Sequence, residues 1–136
     1  MDLSQLETDR TLEIEGVWVN LEDEDKTQLL VARIGNPTYN ARIRAKMKPF
    51  TNMLKRDAMP MEQQEGIVTQ VLSETILLGW KNLKYKGKVI KFTPARAFEI
   101  MEGIPDFREM VLEISNSMEA YRLVEQEDDS KNSKAS

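Results

Sequence analysis

From Lys26 to Arg56 the chain carries eight basic residues and not one acid. They are Lys26, Arg33, Arg42, Arg44, Lys46, Lys48, Lys55 and Arg56. Such a run can attract phosphate groups or an acidic protein partner. It can also be an ordinary solvated face, or a block that meets acids in the fold, and the second reading is the commoner outcome. The net charge of -4 conceals a segregation. Residues 1–25 sum to -8, residues 26–96 to +10 and residues 97–136 to -6. A nucleic-acid module usually interleaves aromatic residues with its bases. Here the acid-free run holds only Tyr39 and Phe50, and the pI is acidic, so nucleic acid is the disfavoured partner.

Other chemistry is restricted by what the chain lacks. It has neither Cys nor His. That removes thiol nucleophiles, Ser-His-Asp triads, imidazole bases and zinc sites of Cys/His type. Six glycines are scattered through the sequence without a phosphate-loop spacing. No carboxylate pair stands out as a general acid and base. No enzyme activity, cofactor or metal is therefore expected. Four of the eight methionines, Met47, Met53, Met59 and Met61, lie in or beside the basic run. Met suits adaptable binding surfaces and also plain core filling, and both readings stay open. The candidate partner-binding set is Arg42, Arg44, Lys46, Lys48, Met53, Lys55, Arg56, Met59 and Met61.

The elements that must position this set read as follows. The 136 residues suit a single domain. Residues 1–10 read as a flexible N-terminus, 11–125 as the domain and 126–136 as a disordered tail. Leu12 and Ile14 alternate with Glu13 and Glu15 at strand period, and Val17–Val19 continues it past a bulge at Gly16. Trp18 reads as a core anchor. Residues 27–34 supply the second strand of an N-terminal hairpin. Residues 39–47 can be helical, and Pro49 kinks or ends that helix. Another helix begins near Pro60 and runs to about Leu83, with Gly79 and Trp80 at its end. There Gly79 allows close backbone approach and Trp80 covers a joint. Lys86-Gly87 centres a small hairpin. Thr93 caps the next helix and Pro94 opens it, while Gly103 ends it. Asp106 with Glu109 forms a capping box for the last helix. Its stripe Phe107, Met110, Val111, Ile114, Met118 and Tyr121 either closes the core or pairs copies of the chain. The fold class is α+β: an N-terminal β-hairpin, then a mainly helical domain with a small inserted β-hairpin. No apolar run reaches a membrane span, and the acidic start is no export signal, so a cytoplasmic location is expected.

Five stretches in this order resemble the tail assembly chaperones of long-tailed, siphovirus-type bacteriophages. They are "EGVWVNL", "QLLVARIGNPTYNARI", "SETILLGWKNL", "VIKFTPARAFEIMEGIPDFREMV" and the acidic tail. The recurring positions are Gly16, Trp18, Asn36, Gly79, Trp80, Pro94, Ile104, Pro105, Asp106 and Phe107, most of them structural. The resemblance implies a non-enzymatic protein, in the shorter, non-frameshifted form. It implies binding to the tape measure protein, a long and largely helical chain, and recruitment of tail tube protein. It also implies absence from the mature virion. A component retained in the virion, such as a tail-completion or connector subunit, is the alternative, followed by a nucleic-acid-binding regulator.

Overall fold

The computed structural model describes residues 1–117 and 119–123. The tail read as 126–136, and Met118 of the last stripe, lie outside the described residues. The architecture is α+β, as expected. A three-stranded antiparallel sheet of β1 (Val17–Asn20), β2 (Gln28–Val31) and β3 (Leu77–Lys81) has β2 at its centre. Helices α4 (Met61–Thr75), α5 (Pro94–Gly103) and α6 (Pro105–Ser115) supply the rest of the core. Leu29, Val31, Leu77 and Trp80 from the sheet pack with Leu72, Ala97, Met101 and Val111 from these helices.

The N-terminal stretch departs from its strand-like pattern. Residues Arg10–Glu15 form a short helix, α1. Asp9 dictates this, because its carboxylate accepts from the Thr11 and Leu12 amides at 3.0 and 3.2 Å. That local cap outweighs an alternation only two apolar residues long. Gly16 then turns the chain at φ 89°, a conformation that side chains disfavour. A Cβ there would also stand 3.2 Å from the Val31 carbonyl carbon. Gly16→Ala is expected to cost about 1–3 kcal/mol in urea unfolding. Gly35→Ala should cost less: its φ is also positive, at 80°, but nothing lies within 4 Å of its Cβ position.

The first ten residues are not a free end. A 3-10 turn at Leu3–Leu6 is capped by Asp2. The Asp9 amide donates to the Tyr121 carbonyl at 2.8 Å, and the Leu123 amide to the Glu7 carbonyl at 3.1 Å. The two ends of the described chain thus clasp each other.

A second correction concerns residues 76–83. The long helix stops at Thr75, and "LLGWK" is a strand, β3, paired with β2. A short run that is apolar all round fits a buried strand as well as a buried helix. Gly79 disfavours helix, and Trp suits a strand. The Ala32 amide donates to the Ile76 carbonyl at 2.8 Å, which secures the switch from helix to strand.

Trp18 is not in the core. It is 45% exposed, on the sheet face turned away from the helices. Register places Trp18, Leu30 and Gly79 side by side across the three strands. The bare backbone of Gly79 gives the indole its shelf, since a Cβ there would lie 3.5 Å from Trp18 Cη2. Lys81 Nζ stands 4.2 Å from the ring centroid, a cation–π contact. Trp80, on the opposite face, is 7% exposed. Its Nε1 donates to the Ile90 carbonyl at 2.8 Å, and its ring meets Phe92 edge-on at 4.8 Å.

The remaining signals resolve locally. Lys86 and Gly87 take positive φ values of 50° and 81° and join β4 (Lys84–Tyr85) to β5 (Lys88–Val89). Thr93 caps α5 by accepting from the Arg96 amide at 3.0 Å, with Pro94 in the first turn. Gly103 is the last residue of α5 rather than the residue beyond it. The capping box at Asp106 does not form. Pro105 already occupies the first turn of α6, and its cap, Ile104, has no side chain able to accept. Asp106 sits in the first turn, where its charge favours the helix dipole. On α6, Val111 is buried and Phe107 and Ile114 pack against the core, so these positions of the stripe close the chain's own interior, while Met110 is 41% exposed.

Candidate functional site

The basic run folds into an elbow. Asn36 caps α2 (Pro37–Met47) by accepting from the Tyr39 amide at 3.0 Å, and Pro37 opens the helix. As expected, the helix ends just before Pro49, which sits in a 3-10 turn, Lys48–Phe50, that leads directly into a second short helix, α3 (Thr51–Lys55). Proline lacks an amide hydrogen and is tolerated where a helix restarts.

Across this elbow lies an open groove of about 760 Å³. Arg44, Ala45, Met47, Lys48, Thr51, Leu54 and Lys55 line it. Positions 44 and 47, 48 and 51, and 51 and 54 lie three residues apart, and 44 and 48, 47 and 51, and 51 and 55 lie four apart, so one helical face continues through the proline turn. Met47 and Leu54, seven residues apart, form its apolar seam. Arg44, Lys48 and Lys55 flank it. None of these three cations has an ion pair or side-chain hydrogen bond among the described residues. Leu54 is 38% exposed, so the seam faces solvent.

Not every residue of the candidate set joins this face. Arg42 and Lys46 turn to α4, where both pair with Glu74. Arg56 ends α3, and its Nε donates back to the Asn52 carbonyl at 3.4 Å. Met53 is half-buried and does not line the groove. Met59 is a correction: it is 5% exposed and belongs to the core. Met61 is 69% exposed but borders a separate hollow of about 260 Å³ between α4 and α6. The charge blocks do meet in places, as Arg33 pairs with Glu13 at 3.4 Å and Lys84 with Asp25 at 2.8 Å. Ala45, Met47, Thr51 and Leu54 line the groove but lie outside the candidate set. The spacing 44, 47, 48, 51, 54, 55 carries the last three, a signal visible only when the helical face is followed past Pro49.

Among the described residues no acidic cluster could hold a metal ion. The face offers apolar side chains between positive charges. The family profile described as "YdaY prophage protein" matches residues 34–132, which is 99 of the 136 residues and includes the whole elbow. The chain belongs to the YdaY prophage protein family. It is thus a phage-derived protein. No curated protein and no solved structure matches the chain. Among the described residues of this YdaY-family protein, no helix is long and apolar enough to cross a membrane.

Proposed function

We propose that this YdaY-family protein is a non-enzymatic assembly chaperone of phage tail morphogenesis. It binds the tape measure protein, keeps it soluble and helps recruit tail tube protein, acting in the host cytoplasm. The observation that carries the reading is the Met47–Leu54 seam flanked by Arg44, Lys48 and Lys55. An amphipathic client helix can lay its apolar stripe on this seam and its acidic flanks against the three cations. The prophage family and the ordered resemblance to tail assembly chaperones support the same reading.

Two measurements bear on it. The first is the triple charge reversal Arg44→Glu, Lys48→Glu, Lys55→Glu. All three side chains are on the surface, so stability should change by only about 0.5 kcal/mol per site. Client affinity should fall by on the order of tenfold or more, through lost steering and like-charge repulsion. Titration calorimetry against a tape measure segment checks this. The second is mass spectrometry of washed, infectious particles. A chaperone is absent from them. Recovery at a fixed copy number per particle would favour a subunit retained in the virion and overturn the proposal.

A further inference from the structure

The small hairpin carries a second binding surface, which shares no residue with the elbow groove. Between Lys81 and Lys91 five of eleven residues are lysines. Two concavities lie on either side of the hairpin. One is an apolar pocket of about 170 Å³, lined by Leu83, Lys84, Tyr85, Ile90, Ile100, Ile104 and Phe107. The other is a basic groove of about 450 Å³ where Lys88, Lys91 and Arg96 meet Tyr85 and Val89. Tyr85 and Ile90 line both and so join them into one surface. No acidic side chain lines either concavity.

The charges here divide into paired and available. Lys84 is held by Asp25 at 2.8 Å, and Arg96 by Glu99 at 3.2 Å. Lys86 lies over the Tyr85 ring at 5.3 Å. Lys88 and Lys91 have no anionic partner among the described residues. Apolar surface is left open beside them: Tyr85 is 49% exposed, Val89 68% and Ile104 40%. The hairpin is also fixed in place. The Ile90 amide donates to the Leu83 carbonyl at 2.8 Å, and the Ile90 carbonyl accepts from Trp80. A preformed apolar hollow of about 150 Å³ is enough for one aromatic ring. The pocket therefore suits a single bulky side chain, and the cations beside it suit carboxylates a few residues away along the same ligand.

We infer that the β4–β5 hairpin is a docking site for an acidic peptide segment carrying one bulky apolar anchor. The anchor enters the Ile100–Ile104–Phe107 pocket, while flanking carboxylates meet Lys88 and Lys91. The site does not depend on the chaperone reading, since any acidic partner with this pattern would be recognised.

The test uses the full chain and a short fluorescein-labelled peptide of Glu and Gly with a central Phe. Fluorescence anisotropy should show saturable binding that weakens with salt. Exchanging the peptide's Phe for Ala should weaken it by about tenfold. The double variant Lys88→Glu, Lys91→Glu should weaken it similarly, with an unchanged circular dichroism spectrum. Arg44→Glu with Lys55→Glu should leave it unaltered. Equal binding of the Phe and Ala peptides would reduce the surface to non-specific charge and overturn the inference. So would full binding by the hairpin variant. Duplex DNA outcompeting the peptide at equal salt would also overturn it, and would mark a nucleic-acid surface instead.

Discussion

Trp80→Ala is expected to remove about 3–5 kcal/mol of folding stability, the range for deleting a large buried aromatic. The indole does three things. It fills the core opposite Leu29, its register partner on β2. It meets Phe92 edge-on, a contact worth about 0.5–1.5 kcal/mol beyond buried area. It also donates its Nε1–H to the Ile90 carbonyl at 2.8 Å and so fastens the chain leaving the small hairpin to the sheet. A domain of this size has only about 5–15 kcal/mol in total, so the alanine variant stands near the limit of folding. Trp80→Phe separates the contributions. It retains most of the packing and loses the hydrogen bond, at a cost of about 1–3 kcal/mol if the carbonyl stays unsatisfied. Urea unfolding of both variants should preserve this order. An alanine variant within about 1 kcal/mol of the parent would contradict the placement of Trp80 as the joint between sheet and hairpin.

Tyr121 is the second site of large effect. It is fully buried, and its hydroxyl donates to the Val31 carbonyl at 2.8 Å. Its own backbone carbonyl accepts from Asp9, so one residue links the C-terminal segment to both the sheet and the N-terminal arm. Tyr121→Ala should cost about 3–5 kcal/mol and expose the first nine residues to limited proteolysis. Tyr121→Phe should cost about 1–3 kcal/mol at neutral pH, because a buried carbonyl loses its donor. It should also change the alkaline limb of the stability curve. Burial, opposed in part by Arg33, raises the Tyr121 pKa well above its ordinary 10.0. The folded state then holds this proton more tightly than the unfolded state. The corresponding stability is fully present below about pH 10 and is lost as pH rises above it. Tyr121→Phe should flatten that loss. It should not abolish it, because burial also raises the Tyr39 pKa. An unchanged alkaline slope in the phenylalanine variant would contradict the buried hydroxyl.

What the sequence revealed depended on whether the deciding interaction was local. Thr93-Pro94 and Lys86-Gly87 were legible because cap and turn chemistry act within three residues. The α+β class followed from distinct strand and helix periods along one chain. The failures have identifiable causes. Leu12 and Ile14 alternate, but Asp9 three residues earlier caps a helix, and two alternating residues carry too little weight against it. The apolar run 76–80 has no polar residue to mark a face, so its period could not be read. Its partner, β2, lies more than forty residues away in sequence. Asp106 looked like a cap because its spacing to Glu109 fits, yet Pro105 starts the helix one residue earlier. Trp18 was misplaced because a strand's two faces look alike in sequence. Only the empty face of Gly79, two strands across, gives the indole room outside the core. The basic run pointed to the correct region of the chain. It did not reveal that Glu74 would take up Arg42 and Lys46, since that pairing depends on α2 packing against α4.

On the proposed function, the elbow face receives a helical client in tail assembly. Co-expression of the full chain with the tape measure protein of the same prophage tests it most directly. The tape measure protein is expected to move into the soluble fraction and to co-purify. With the Arg44→Glu, Lys48→Glu, Lys55→Glu variant both effects should be lost while the variant remains folded. A client that stays insoluble and unbound beside a well-folded partner would contradict a chaperone role for the elbow face.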